Sequence, residues 1–262
     1  MDYKKLVGFL LICAVIMSGY LLWFRSFRNQ RIADNKTLVM GIAAGYAPYI
    51  SINEQGEYEG FDIDVARAVA QKLGKKLVLK DLGSMTSLMM ALDQPSIDAI
   101  IWGISITQQR LQKYAMIHYQ GAVTKAYPLI FWGTIPARVR TLDDMAGRTV
   151  CVEPSSSESA VLERYTDIII LPVDKVDDAL LNLQYSKADA ALLDPVIAKK
   201  FKNKFPEIKT LEIPLAPEDQ MQGVGIVINK NNTTLTIAVQ RAIDALKVNG
   251  TLAQLEQKWG LE

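Results

Sequence analysis

From Thr37 onward the chain alternates between two hydrophobic periods. LVMGIAA (38–44) is an unbroken apolar run of strand length, and KKLVLKDL (75–82) is a second candidate strand around Leu77, Val78 and Leu79. Between them, GFDIDVARAVAQKLG (60–74) sets Ile63, Ala66, Val69, Ala70 and Leu73 on one helical face, with an Asp to cap its start and Gly74 to close its end. The same logic predicts strands at 97–104, 127–133, 148–153, 188–194 and 223–229. It predicts helices at SMTSLMMAL, SESAVLERY, VDDALLNLQYS, PVIAKKFKNKF and LTIAVQRAIDALKVNG. Such alternation is the signature of an α/β sheet protein. Periodicity leaves open whether there is one large sheet or two lobes joined by two crossings.

The N-terminus follows a different rule. LVGFLLICAVIMSGYLLWF, residues 6–24, carries no charge over 19 positions, which as a helix matches the span of a bilayer core. Lys4 and Lys5 precede it and Arg25, Arg28 and Arg31 follow, with Tyr20, Trp23 and Phe24 suited to an interface. No A-x-A-like processing site follows, and bulky Ile12 before Cys13 argues against a lipidated cysteine. We therefore expect an uncleaved transmembrane anchor with a polar linker, residues 1–36. By charge alone the folded part faces the cytoplasm, because the arginines after the span outnumber the lysines before it.

Composition removes several functions. Lys plus Arg total 29 against 28 Asp plus Glu, so no basic face is implied and nucleic acid is not expected as a partner. Two cysteines, Cys13 and Cys151, exclude a disulfide framework and a cysteine-rich metal site. A single histidine, His118, leaves no zinc cluster and no Ser-His-Asp set; its default reading is an ordinary half-buried side chain. No metal, cofactor or catalytic residue is expected.

Polar groups collect at three strand tips. IIWGISITQQR runs from a buried strand into Ser105, Thr107 and Arg110; RTVCVE runs into PSSSE; and ADAALL ends on Asp194. Ligands of open α/β sheets bind beyond the carboxyl ends of strands. A helix starting at Ser155, Ser156 and Ser157 offers free N–H groups and hydroxyls to an anion, and Arg110 adds a bidentate grip on a carboxylate. Asp194 accepts from an ammonium. Taken singly, the serines read as a solvated loop and Asp194, before Pro195, as a helix cap. Together they describe grips for the α-carboxylate and α-amine of an amino acid.

GYAPYISINEQGEYEGFDIDVARAVAQKLG, IDAIIWGISITQQR, TLDDMAGRTVCVEPSSSESAVLERY, KADAALLDPVIAKKF and KVNGTLAQLEQKWG occur in an order that resembles the polar amino-acid-binding proteins. These are the extracytoplasmic solute-binding subunits of ABC importers, with the type II periplasmic-binding-protein fold. The resemblance spans residues 37–262. It implies two α/β lobes joined by a two-strand hinge, lobe one from 37–122 and 221–262 and lobe two from 123–220. It also implies an amino-acid ligand, an ABC permease as partner and a domain outside the cytoplasmic membrane. Carried across, Tyr46 covers the ligand's aliphatic part and the Gly103 carbonyl meets its amine. Ser105 and Arg110 hold the carboxylate from lobe one, Ser156 and Ser157 complete that grip from lobe two, and Asp194 takes the amine.

Departures from the family bear on specificity. Ala43 stands where relatives that bind cationic side chains often have an acid, Met85 replaces a pocket aromatic, and Trp102 fills a position that is often small. These favour a neutral or apolar side chain, whereas Glu153 can pair with arginine or lysine. Two other functions compete with the receptor. One is a dehydratase acting on prephenate or arogenate, with Glu153 or Glu158 as general acid, against which an amine partner at Asp194 argues. The other is a sensor domain.

Overall fold

In the computed structural model, residues 36–262 are described. The expected span at 6–24 and most of its linker lie outside them. Among the described residues no helix is long and apolar enough to cross a membrane.

Two five-stranded sheets carry the fold. The first has the order β4-β1-β5-β12-β6, from β1 (Thr37–Ile42), β4 (Lys76–Asp81), β5 (Ala99–Ile100), β6 (Tyr114–Thr124) and β12 (Met221–Asn229). β1, β4 and β5 are parallel, and β12 runs antiparallel to β5 and β6. The second has the order β11-β7-β10-β8-β9, from β7 (Ala126–Trp132), β8 (Thr149–Val152), β9 (Ile169–Pro172), β10 (Ala190–Leu192) and β11 (Ile208–Pro214). A short hairpin of β2 (Ser51–Ile52) and β3 (Tyr58–Glu59) completes the strands.

Helices cover both sheets. The first lobe uses α1 (Phe61–Lys72), α2 (Met85–Asp93), α3 (Gln108–Lys113), α7 (Thr233–Val248) and α8 (Thr251–Trp259). The second uses α4 (Ser157–Leu162), α5 (Val176–Gln184) and α6 (Pro195–Lys204). In α1 the face of Ile63, Ala66, Val69 and Ala70 is buried, as its period requires. Its cap is Gly60, with no side-chain hydrogen bond; Asp62 and Asp64 sit inside the first turn, so the expected Asp cap is not formed.

The chain passes between sheets twice, side by side. β6 ends at Thr124 and β7 begins at Ala126, while β11 ends at Pro214 and β12 begins at Met221. At the crossing Leu215 N–H donates to the Lys125 carbonyl at 2.8 Å. Just inside the first lobe the β6–β12 ladder slips register around Gly223. Its φ is +73°, and a Cβ there would lie 2.5 Å from the Gln120 carbonyl oxygen. A β-bulge of this kind needs glycine.

Expectation and structure part at the strand of 97–104. Only Ala99 and Ile100 pair as strand, because the backbone bends at Trp102 and Gly103. β6, β9 and β11 were not expected from periodicity.

Candidate functional site

The bend after β5 opens the site. Ile101 N–H is held by the Gly41 carbonyl at 3.2 Å and Gly225 N–H by the Ile104 carbonyl at 2.8 Å, so the sheet grips both sides of the turn. At its apex Gly103 takes φ +56°, where a Cβ would lie 3.2 Å from the rings of Tyr46 and Tyr49. Tyr46 packs on Trp102 at 5.2 Å between ring centroids and on Tyr49 at 5.7 Å. Met85, the first residue of α2, is buried. The Trp102 indole N–H is buried with no hydrogen-bond partner.

Thr107 caps α3, its hydroxyl accepting from Arg110 N–H at 3.2 Å. That cap directs the half-buried Arg110 side chain back under the turn. Nη1 donates to the Ser105 carbonyl at 2.8 Å, and Nη2 crosses to the other sheet and donates to the Ser155 carbonyl at 3.0 Å. Ser105 is itself buried and bridges to Val224 in β12. Thr86 and Ser155 make a second crossing, hydroxyl to hydroxyl at 3.3 Å.

The second lobe answers with carboxylates. Ser156 caps α4, accepting from Ser159 N–H at 3.0 Å, and the Ser157 hydroxyl donates to Glu158 Oε2 at 3.2 Å. Glu158 is buried in the first turn, held there by its own N–H, Arg110, Ser157 and Ser156, although burial pushes its carboxyl above the usual range. Burial and then Glu158 push Glu153 up to about 8. The same two causes raise Asp194 to about 7. Asp194 also caps α6, accepting from Val196 N–H at 2.8 Å, so the bland role is fulfilled beside any functional one. Tyr46 is raised well above a normal phenol, by burial and then by the nearby charges of Asp194, Glu158 and Glu153.

Across the site, direct bonds thus run from Arg110 and Thr86 to Ser155, and the acids of the second lobe lie within electrostatic range of Tyr46 and, for Glu153 and Glu158, of Arg110. Sequence reasoning undervalued Glu158, treating it only as an acid for the dehydratase reading. The available signal was a carboxylate in the first turn of a helix at a strand tip, where its own backbone N–H groups retain it. His118 takes no part: it is half-buried, with Nε2 2.9 Å from the Gly121 carbonyl oxygen. Among the described residues no three His, Cys, Asp or Glu side chains group as metal ligands. Two surface grooves, lined by residues such as Thr134 and Lys209 or Pro48 and Lys200, include none of the site residues.

Residues 38–262 match the family model of the bacterial extracellular solute-binding proteins, family 3. The chain is 33% identical over 260 residues to the probable ABC transporter arginine-binding protein ArtJ of Chlamydia trachomatis, covering 98% of this chain and 97% of that one. It is 25% identical to the L-cystine-binding protein TcyJ of Escherichia coli, over 90% of this chain and 88% of the other. Among solved structures, a mutant of ArgBP from T. maritima superposes with a TM-score of 0.77 at 28% identity, covering 89% of this chain and 99% of that chain.

Proposed function

The chain belongs to the bacterial extracellular solute-binding proteins of family 3, and from that premise we propose that it is the extracytoplasmic receptor of an ABC importer, taking an amino acid with a cationic side chain. The observation that carries the side-chain assignment is the charge of the cleft. Three carboxyl groups, Glu153, Glu158 and Asp194, crowd one another; the guanidinium of Arg110 stands within electrostatic range of Glu153 and Glu158, and Glu158 in turn acts on Asp194. A buried surplus of carboxylates is costly unless protons or a cation neutralise it. Arginine supplies one carboxylate for Arg110, one ammonium for Asp194 and one guanidinium for Glu153 and Glu158. The relative named as a probable arginine-binding protein favours the same ligand.

In this reading Ser105, Ser156 and Ser157 share the carboxylate with Arg110, and the Gly103 carbonyl shares the amine with Asp194. Tyr46 and Trp102 offer ring faces to the guanidinium, an attraction that grows when water is excluded. Aromatic walls therefore do not oppose a cationic ligand, and Met85 closes the apolar side. Lobe one comprises 37–122 and 221–262 and lobe two 123–220, closing about the paired crossings. An ABC permease would read the closed state. The segment at 6–24 would anchor the domain on the outer face of the cytoplasmic membrane. Ligand is bound without turnover; the family and its named relatives favour a receptor over a prephenate-type dehydratase.

Isothermal titration calorimetry of the protein against the twenty amino acids tests this. Arginine should bind most tightly, lysine next, and neutral or acidic amino acids at least about 10-fold more weakly, the share of one buried ionic contact. Tightest binding of a neutral ligand such as cystine, tested alongside, would overturn the side-chain assignment. Absence of binding to every amino acid would overturn the receptor reading.

A further inference from the structure

Asp62 is fully buried in the first turn of α1, and its two hydrogen bonds come from neutral groups. Oδ2 accepts from Gly103 N–H at 2.6 Å, and Oδ1 accepts from the Tyr119 hydroxyl at 2.7 Å. Burial pushes the carboxyl up to about 7, against the pull of those two donors. A carboxyl group withdrawn from water without a counter-ion is costly to a core, and its two hydrogen bonds are what offset that cost.

The Gly103 bond lies where the chain has least other support. The sheet holds Ile101 on one side of the bend and Ile104 on the other. Between them, the bond to Asp62 is the one hydrogen bond that the turn receives among the described residues. A peptide unit is planar, so fixing the Gly103 N–H also fixes the plane from which its left-handed φ departs. The turn is pressed under the rings of Tyr46 and Tyr49, and the Gly103 carbonyl takes no hydrogen bond from any described backbone N–H. The second bond ties the brace to β6: Tyr119 stacks on Phe61 at 5.9 Å, one residue before Asp62.

We infer that Asp62 is a positioning residue for ligand recognition: by holding the Gly103 N–H and the Tyr119 hydroxyl, it fixes the turn that offers the Gly103 carbonyl to the ligand's α-amine. Asp62 touches no ligand itself. The inference rests on the amino-acid reading of the cleft.

The test compares arginine with 5-guanidinopentanoate, which keeps the carboxylate and guanidinium but lacks the α-amine, on the wild type, Asp62→Ala and Asp62→Asn. Asp62→Ala leaves the Gly103 N–H unpaired and the turn free to shift, so arginine should bind about 10-fold or more weakly while the des-amino analogue changes less than about 3-fold. Asn keeps an oxygen for Gly103, so Asp62→Asn should bind both ligands within about 3-fold of wild type. If alanine prevents folding, Asp62→Ser gives the same comparison, because its shorter side chain still withdraws the acceptor from Gly103. Equal loss for both ligands, or no loss for either, would overturn the positioning role while leaving the receptor reading intact. A wild type that binds neither ligand would overturn that reading and this inference with it.

Discussion

Arg110 and Ser155 are joined across the cleft, guanidinium Nη2 to carbonyl oxygen at 3.0 Å, while Nη1 of the same fork holds the Ser105 carbonyl at 2.8 Å. One side chain therefore ties the strand-tip loop of the first lobe to that of the second. A guanidinium has five N–H donors in a rigid plane, so these two bonds leave others for an anion between the loops. In this account closure and carboxylate recognition share a residue.

Side-chain recognition is predicted to reside in the second-lobe acids. Glu158→Gln and Glu153→Gln should each weaken arginine about 10-fold or more, while citrulline, its neutral ureido isostere, changes less than about 3-fold. Trp102→Ala or Met85→Ala should instead alter the order of preference among side chains. Competition calorimetry distinguishes these outcomes; equal losses for arginine and citrulline would remove the acids from side-chain recognition.

The pH dependence has a definite sign. Asp62 and Asp194 are raised to about 7 and Glu153 to about 8, whereas unfolded carboxyls titrate near about 4. The folded, ligand-free protein thus binds more protons than the unfolded chain across that window, so its stability falls as pH rises through it. The melting temperature without ligand should be higher at about pH 5.5 than at about pH 8.5. Arginine favours the ionised acids, so its affinity should rise between those two pH values, with protons released on binding. A flat affinity profile with no proton release would contradict the charge assignment.

The bulge beside the crossing yields a stability prediction. Gly223→Ala puts a Cβ 2.5 Å from the Gln120 carbonyl oxygen and 2.7 Å from that of Gly121, at a φ of +73°. Strain and overlap together should destabilise the protein by about 2–4 kcal/mol in urea denaturation. An unchanged midpoint would mean that the β6–β12 ladder can shed its register shift.

What the sequence made legible follows burial. β1, β8 and β12 are apolar runs buried through most of their length, and α1 and α7 keep a clean helical period, so periodicity finds them. β9 and β11 are edge strands with largely exposed or half-exposed residues, and β6 mixes buried and exposed positions without alternation; their pairing is decided by neighbours distant in sequence. The site divides similarly. Arg110 and Asp194 announce themselves as charges at strand tips, whereas Asp62 reads as a helix cap until Gly103 and Tyr119 are seen folded onto it. Glu158 was hidden because a buried carboxylate in a serine-rich turn looks like a solvated one.

The central claim is that Arg110 and Asp194 hold opposite ends of one zwitterion, and calorimetry of Arg110→Ala against every amino acid that the wild type binds tests it most directly. Removing the guanidinium leaves a ligand carboxylate buried without its partner, a loss of about 2–5 kcal/mol, or roughly 30-fold to several-thousand-fold in affinity. The account predicts that loss for each ligand whatever its side chain, with the fold intact by circular dichroism, and the same for Asp194→Ala. An Arg110→Ala protein that binds normally, or that loses only some of its amino acids, would contradict it.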